Sequence, residues 1–244
     1  QEEYESNNRS YPRGIPLAFD FAKGSILQDV DGNKYIDFTS TCGVFNLGHN
    51  NDYILDKLQT MNGKISQSVD YPTPVKIEFL KSLLEALPDS LKGKCKVNFG
   101  GPSGSDAIEA AIKLARINKK RHSIIAFQGG YHGMTMGALS VTSKLSHRKD
   151  APPLIPGVHF LPFCSSYRCP FAHGTNSCQQ ECLKYFKYVL ENPHSGIDKP
   201  AAIIIEPIQG EGGTYIPPAG WLEAITKIAH DNDILVIFDE VQAG

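Results

Sequence analysis

Residues 100–133 read GGPSGSDAIEAAIKLARINKKRHSIIAFQGGYHG, and this stretch decides the fold. Apolar residues recur at three- and four-residue spacing after the glycines, which predicts an amphipathic helix over Asp106–Asn118. Short apolar runs on either side of that helix predict strands over Cys95–Phe99 and Ser123–Phe127. Strands that alternate with helices are typical of an α/β layer built on a mostly parallel sheet.

The alternation continues to the end of the chain, while the beginning has a different character. The later elements predicted from periodicity are helices from about His132, at Gln179–Glu191 and at Gly220–Asp231, and strands at Val158–Leu161, Ala201–Glu206 and Ile234–Asp239. Near the N-terminus, the turn residues Asp31 and Gly32 separate two short apolar runs between Gly24 and Phe38. This pattern predicts an antiparallel hairpin, so a small sheet precedes the α/β layer.

The composition narrows the class of protein and its partners. The 244 residues are 41% hydrophobic and 20% charged, with a net charge of -2. These values are typical of a soluble globular protein and provide no broad positive surface for nucleic acid. The longest apolar runs are five residues, far short of the roughly 20 that a membrane-spanning helix needs. Six cysteines are few for a disulfide scaffold, so we expect reduced thiols and a cytoplasmic protein.

The glycine-rich turn from Gly100 to Asp106 is the first candidate ligand site. The start of the following helix has N–H groups without intrahelical partners and about half a unit of positive charge, so a phosphate is the natural ligand. The turn lacks both the Walker motif and the Gly-x-Gly-x-x-Gly fingerprint, which disfavours an ordinary nucleotide. Taken alone, it is equally consistent with a turn in which Ser103 or Ser105 caps the helix.

Acidic and aromatic residues follow other predicted strands. Asp239 and Glu206 come at the carboxyl ends of two apolar strands, where ligands of open α/β sheets bind. A buried carboxylate there needs a cation or a protonated ring nitrogen, although a single acid at a strand end often lies in a solvated turn. Tyr131 and His132 stand between glycines, which leaves room for a flat ligand or reflects ordinary packing.

Together the three features describe one kind of ligand. An anion cradle, an aromatic ring and a buried carboxylate would all contact a phosphorylated, flat, nitrogen-containing ring. Pyridoxal phosphate is such a molecule, and its ring draws electrons only while a carboxylate keeps the ring nitrogen protonated. We therefore predict pyridoxal phosphate as the cofactor and Asp239 as a catalytic residue.

Six segments stand out as motifs in a fixed order along the chain. They are residues 31–38 (DGNKYIDF), 46–50 (NLGHN), 103–107 (SGSDA), 131–133 (YHG), 206–213 (EPIQGEGG) and 238–242 (FDEVQ). Taken together, they resemble the class III pyridoxal-phosphate-dependent aminotransferases of fold type I over nearly the whole chain. The resemblance implies part of a small α+β domain at residues 1–62 and a large α/β domain with a mixed, mostly parallel sheet at residues 63–244.

The resemblance also implies roles for nine residues around the cofactor. These are Gly104 and Ser105 at the phosphate with Asp106 beside them, Tyr131 stacked on the ring with His132 in support, Asp239 at the ring nitrogen, Val241 under the other ring face, Gln242 at the ring hydroxyl and Glu206 at the substrate side. Such enzymes are usually dimers, so we expect a homodimer whose sites include residues from both subunits.

Finer details of the same resemblance point to a substrate. Relatives that act on 4-aminobutyrate or ornithine tend to have an arginine directly after the His-Gly pair, where this chain has Met134. Together with residues 70–76 and 167–171, this difference resembles the diaminobutyrate:2-oxoglutarate branch. We expect the amino group of L-2,4-diaminobutyrate to be transferred to 2-oxoglutarate, with an enzyme of the 4-aminobutyrate or ornithine type as the alternative.

The absence of one expected residue leaves other functions open. In this family the lysine that binds the cofactor covalently usually lies some tens of residues beyond the Asp-Glu motif, and the sequence ends at Gly244, before that position. We therefore expect a truncated chain that is inactive alone. Two alternatives to an aminotransferase stay open. One is a lyase, racemase or aminomutase of the same fold, and the other is a fragment that binds phosphate without catalysis. A hydride-transferring oxidoreductase is disfavoured because the dinucleotide fingerprint is missing.

Four of the six cysteines lie within 19 residues of one another. They are Cys164, Cys169, Cys178 and Cys182, with His173 among them. Four thiolates can bind zinc, but the four, eight and three residues that separate these cysteines differ from the paired Cys-x-x-Cys of zinc knuckles. The spacing therefore predicts ordinary thiols and no metal site.

Overall fold

The computed structural model describes residues 3–6, 15–64, 69–151, 153–171 and 175–244. His173, which the sequence places among the clustered cysteines, lies outside the described residues. Contacts between Cα atoms divide the chain into two units, one up to Cys95 and one from Lys96 onward. The expected domains, residues 1–62 and 63–244, stay a prediction.

Among its described residues, the first unit contains a three-stranded antiparallel sheet and three helices. The strands, in the order β1-β2-β3, are β1 Phe19–Lys23, β2 Ile26–Asp29 and β3 Lys34–Ile36, and the helices are α1 Ser40–Gly43, α2 Asp52–Gln59 and α3 Pro74–Ala86. The pairing of β2 with β3 confirms the predicted hairpin. The Asp29 carboxylate holds its turn by accepting hydrogen bonds from the N–H groups of Asp31 and Asn33, and Gly32 supplies the positive φ of 87°.

The described part of the second unit is an α/β layer with a four-stranded parallel sheet. Its strands, in the order β5-β4-β6-β7, are β4 Ile124–Phe127, β5 Val158–Leu161, β6 Ala202–Ile205 and β7 Leu235–Phe238. Its helices are α4 Gly104–Lys119, α5 Met136–Val141, α6 Leu145–Arg148, α7 Thr175–Glu191 and α8 Trp221–Asp231. All neighbouring strands pair in parallel, which confirms the expected α/β class.

Alternate residues of the strands pack into two hydrophobic cores, one on each face of the sheet. On β4, Ile125 and Phe127 belong to the core that contains Trp221 and residues of α7. Ile124 and Ala126 belong to the core formed with α4 and α5. This period of two follows from the alternating direction of side chains along a strand. The sheet is therefore covered on both faces, as buried parallel sheets require.

Helix α4 begins with a capping box. The Ser103 hydroxyl accepts a hydrogen bond from the Asp106 N–H at 3.3 Å, and the Asp106 carboxylate accepts one from the Ser103 N–H at 3.3 Å. The helix thus starts at Gly104, two residues before the predicted start, and Ser103 rather than Ser105 is its cap. The N–H groups of Gly104 and Ser105 lie in the first turn, where no intrahelical acceptor exists.

The structure differs from the prediction mainly before α4. Residues 95–99 are not a strand: they pair with none of the described strands of the sheet, including its edge strands β5 and β7. Helix α3 was not predicted, although Pro74 stands in its first turn and Thr73 caps it by accepting a hydrogen bond from the Lys76 N–H at 3.2 Å. Within the described parts of the chain, no helix is both long and apolar enough to cross a membrane.

Candidate active site

Three strand ends and one helix start border a single cavity in the second unit. Because β4, β6 and β7 are parallel, the segments that follow them emerge at the same edge of the sheet. The cavity has a volume of about 210 Å³, and its lining residues are Gly104, Ser105, Tyr131, His132, Gly133, Glu206, Asp239, Val241 and Gln242. The structure thus brings together every predicted cofactor-binding residue except Asp106.

A buried histidine–aspartate pair forms part of the cavity wall. His132 Nδ1 and Asp239 Oδ2 are 2.7 Å apart, and their side chains are only 1% and 5% exposed. The His132 N–H donates to the Thr142 hydroxyl at 2.9 Å, and Asp239 Oδ1 accepts a hydrogen bond from the Val241 N–H at 3.2 Å. A carboxylate buried this deeply needs such partners, since removing its charge from water is costly. The contacts hold the Asp239 carboxyl group in one position at the cavity.

Glu206 connects the segments that follow β4 and β6. Its Oε1 accepts a hydrogen bond from the Tyr131 N–H at 2.8 Å, and its Oε2 accepts one from the Gly210 N–H at 2.9 Å. Burial raises the pKa of Glu206 above its ordinary value, while the two N–H groups act in the opposite direction. Glu206 therefore fixes the backbone at Tyr131 as well as lining the cavity.

The start of α4 makes a tight cradle with the segment after β4. A Cβ atom on Gly133 would come within 2.0 Å of the Ser105 hydroxyl oxygen, and one on Gly104 would come within 2.9 Å of Val241. The Ser105 oxygen also accepts a hydrogen bond from the Met134 N–H at 3.2 Å. Only glycine fits at these two positions, which leaves backbone N–H groups of the helix start accessible from the cavity. Such a helix start favours a bound anion.

The remaining lining residues come from the loop after β4, which contains Tyr131, and from the chain after β7. The Tyr131 ring packs edge-on against His147, with centroids 5.9 Å apart. Burial raises the pKa of Tyr131, and the charge of Glu211 adds to this effect. Gln242 lies so close to Gly210 that a Cβ there would approach its Oε1 to 1.6 Å. The cavity is therefore closed by contacts between loops rather than within them.

The structure places Asp106 outside the cavity lining, and it gives a place at the site to two residues for which the sequence predicted no role. The Asp106 side chain is occupied by the capping box with Ser103. Gly133 lines the cavity, and its position after the Tyr-His pair was the available signal. Thr142 supports His132 from ten residues away, and no sequence pattern indicates that contact.

The arrangement suits one particular ligand chemistry. The start of α4 offers N–H donors to an anionic group, and Tyr131 and Val241 offer surfaces to a flat ring. A buried carboxylate that already has a histidine partner can also accept a hydrogen bond from a protonated ring nitrogen. These residues fit a phosphorylated nitrogen heterocycle better than a nucleotide, because the dinucleotide and Walker motifs are absent from the sequence.

Comparisons with known proteins agree with this geometry. The family model "Aminotransferase class-III" matches residues 8–244. The diaminobutyrate–2-oxoglutarate aminotransferase of Rhizobium meliloti (strain 1021) is 42% identical over 246 residues, which cover 100% of this chain and 52% of that protein. The protein of the same name from Haemophilus influenzae is 43% identical over 246 residues, covering 100% of this chain and 54% of its own length. The chain spans about half the length of the curated relatives it matches.

The fold has counterparts among solved structures. An amine transaminase from an uncultivated Pseudomonas species, whose crystal structure is PLP-bound, matches with a TM-score of 0.84 at 23% identity. The match covers 100% of this chain and 57% of that one. The two units therefore have the fold of fold type I transaminases.

Proposed function

The chain belongs to the class-III aminotransferase family, and from this premise we propose that the full-length protein transfers amino groups between amino acids and 2-oxo acids with pyridoxal phosphate as cofactor. The observation that carries the proposal is one cavity lined by both the buried Asp239 carboxylate and the start of α4. A cofactor with a basic ring nitrogen at one end and a phosphate at the other matches these two features. The relatives named as diaminobutyrate–2-oxoglutarate aminotransferases support it.

The residues of the cavity fit this cofactor by charge and by shape. Gly104 and Ser105 would hold the phosphate with their N–H groups and the Ser105 hydroxyl, since the positive end of α4 favours an anion. Asp106 would act beside them only by stabilising the helix start through its hydrogen bonds with Ser103. The close approach of Gly133 to Ser105 keeps larger side chains out of the phosphate position.

The ring would lie between Tyr131 and Val241, with Gln242 at its hydroxyl group. Asp239 would keep a proton on the ring nitrogen, because a carboxylate within hydrogen-bond distance stabilises the charged form. His132 would hold Asp239 through the 2.7 Å contact. When bound, the protonated ring withdraws electrons from the substrate bond that breaks, and this is the chemistry that the cofactor supplies.

Glu206 would shape the substrate side of the pocket. It cannot easily turn toward solvent, because both of its carboxylate oxygens accept backbone hydrogen bonds. A fixed carboxyl group at this position would repel a substrate carboxylate and favour an amino group. This effect would help to orient an amino donor that has a second, distal amino group.

We propose L-2,4-diaminobutyrate as that donor and 2-oxoglutarate as the acceptor. Both named relatives support the choice, as does Met134 at the position where an arginine would bind a carboxylate. The lysine that binds the cofactor covalently would come from outside residues 1–244, since no lysine of the described residues lines the cavity. The chain alone would then not transaminate, and the full-length protein would act as a homodimer.

The proposal is tested by measuring glutamate formation from 2-oxoglutarate with the purified full-length protein. Equal concentrations of L-2,4-diaminobutyrate, ornithine, lysine and 4-aminobutyrate are compared as donors. We expect glutamate to form with pyridoxal phosphate present and kcat/KM to be highest for L-2,4-diaminobutyrate. A higher kcat/KM for ornithine or 4-aminobutyrate would contradict the substrate, and no glutamate from any donor would contradict the activity.

A further inference from the structure

Three cysteine sulfurs converge inside the hydrophobic core of the second unit. Cys164 follows β5 closely, and Cys178 and Cys182 lie on α7. Their Sγ atoms all lie within 4.8 Å of one another, and those of Cys164 and Cys178 are 3.5 Å apart. All three residues are buried. All six cysteines of the chain are described, and no disulfide joins any two of them.

These separations match the geometry of a zinc–thiolate site. Zinc–sulfur bonds are about 2.3 Å long, so neighbouring sulfurs of a tetrahedral site are about 3.8 Å apart. The 3.5 Å between Cys164 and Cys178 is close to that value, and all three sulfurs lie within 4.8 Å of one another. Cys178 and Cys182 are four residues apart on one helix, which brings their side chains onto the same face. This helical pairing explains why the spacing differs from the Cys-x-x-Cys of zinc knuckles.

Cys169 is the candidate for a fourth ligand, and its Sγ is not one of the three that lie within 4.8 Å of one another. It lies on the segment between β5 and α7, is partly buried and packs against the same core as the other three. Cys164, Cys169, Cys178 and Cys182 are called the cysteine cluster below.

We propose that the cysteine cluster binds one structural zinc ion. Each zinc–sulfur bond forms as the corresponding S–H bond releases its proton to solvent, and no electrons are transferred. Zinc suits four thiolates in tetrahedral geometry. The ion fastens the segment after β5 to α7. It takes no part in the chemistry of the cavity, since none of the four cysteines lines it.

Ordinary buried cysteines behave as small apolar side chains and have no reason to converge. Cys95 lies in the other unit and outside this group of sulfurs, although it donates a hydrogen bond to a carbonyl oxygen, that of Leu91, as Cys178 does to that of Ser165. The cluster instead draws sulfurs from two separate segments to one point. A matched control is therefore available within the same protein.

The test is the metal content of the full-length protein, purified without chelators from cells supplied with zinc. We expect about one zinc per chain by mass spectrometry, and X-ray absorption at the zinc edge with four sulfurs at about 2.3 Å. Both measurements use the wild-type protein, so they do not depend on a variant that folds. The variant Cys182→Ser should lose zinc, while Cys95→Ser should retain it.

Three results with the wild-type protein would overturn the proposal outright. They are a wild-type protein without zinc even after reduction and incubation with zinc, zinc bound mainly through nitrogen or oxygen, and a disulfide between Cys164 and Cys178 found by mass spectrometry of the freshly alkylated protein. A cluster that binds iron instead of zinc would also overturn the identity of the ion. Zinc retained by Cys182→Ser and lost by Cys95→Ser would place the ion elsewhere.

Discussion

Two histidine–aspartate pairs in the molecule have the same nitrogen–oxygen distance and different surroundings. In the first unit, His49 Nε2 and Asp37 Oδ2 are 2.7 Å apart, and in the second unit His132 Nδ1 and Asp239 Oδ2 are also 2.7 Å apart. All four side chains are largely shielded, with exposed fractions between 1% and 12%. The distance and burial of a pair therefore do not reveal its role.

Both carboxylate oxygens of Asp37 are occupied by hydrogen bonds from residues close to it in the sequence. Its Oδ1 accepts hydrogen bonds from the Thr39 N–H, the Thr39 hydroxyl and the Ser40 N–H, while Oδ2 contacts His49. All of these groups lie within twelve residues of Asp37 in the sequence. Such a local set of bonds defines the turn after β3, so we interpret this pair as structural.

The carboxylate of Asp239 is held by a residue that follows a different strand of the sheet, and it lines the candidate active-site cavity. Its partner His132 is 107 residues away in the sequence, and among the described residues the other recorded hydrogen bond to the carboxylate comes from the Val241 N–H. The two residues follow the ends of β7 and β4, where parallel strands deliver ligand-binding residues. Both pairs line a cavity. What distinguishes Asp239 is therefore its spare hydrogen-bonding capacity and its partner from a distant strand end, and these two features associate it with chemistry.

The largest expected effect comes from a substitution that breaks the pair of His132 and Asp239. Asp239→Asn should lower the kcat of the full-length enzyme by on the order of 10²–10³-fold, because it removes a preorganised charge at the reacting centre. The assay is glutamate formation at saturating donor and cofactor. Asp37→Asn is the matched control and should keep kcat close to wild type. Equal losses in both variants would show that the two pairs do not differ in role.

The second effect concerns the shape of the cavity. Gly133→Ala places a methyl group 2.0 Å from the Ser105 oxygen at a φ of +123°, so we expect a loss of about 1–3 kcal/mol in the free energy of unfolding and weaker binding of pyridoxal phosphate. Gly196→Ala is the control, because its φ is also positive and no atom lies within 4 Å of the new methyl group. Urea unfolding measures the first effect and fluorescence titration the second. Equal cofactor affinity in both variants would contradict the proposal that Gly133 and the start of α4 form the binding site of the phosphate.

The third effect is a pH dependence at Glu206. Its folded-state pKa is raised, chiefly by burial, so the folded state binds more protons than the unfolded state between pH 4.5 and the raised value. This group therefore makes the protein less stable as the pH rises through that window. Glu206→Gln should remove that part of the slope in urea unfolding measured at a series of pH values. Parallel curves for wild type and variant would contradict the raised pKa.

The smallest effect is a pH dependence of opposite sign at Asp37. Its folded-state pKa is lowered from 3.8, chiefly by the hydrogen bond with His49 and then by that of Thr39. The stabilisation is present above pH 3.8 and is lost as the pH falls through the lowered value. The difference in stability between wild type and Asp37→Asn should therefore shrink during acid unfolding followed by circular dichroism. A difference that stays constant down to low pH would refute it.

Local patterns predict the elements and the site residues whose signals lie within a few positions. The spacing of Ile108, Ile112 and Ala115 predicts α4, and its glycine-rich start predicts the anion cradle. Parallel strand ends then bring Glu206 and Asp239 to one edge of the sheet. The helix and the strand ends are predicted correctly because the periods of helices and strands are fixed by backbone geometry, while the anion cradle stays a prediction.

Contacts between distant segments could not be predicted in the same way. The hydrogen bond between His132 and Thr142, and the convergence of Cys164 with the cysteines of α7, depend on how loops pack in three dimensions. The predicted strand at residues 95–99 is wrong for the same reason, since an alternating pattern becomes a strand only where the folded chain brings a partner strand beside it. The sequence therefore predicts the edge of the sheet that binds ligands more reliably than it predicts the contacts, such as that of His132 with Thr142, that hold the site residues in place.

The most direct test of the account is a crystal structure of the full-length protein with pyridoxal phosphate. We predict that the ring nitrogen lies within hydrogen-bond distance of an Asp239 carboxylate oxygen, with the phosphate at the N–H groups of Gly104 and Ser105. A cofactor bound in another cavity, or one in this cavity whose ring nitrogen faces away from Asp239, would contradict the account.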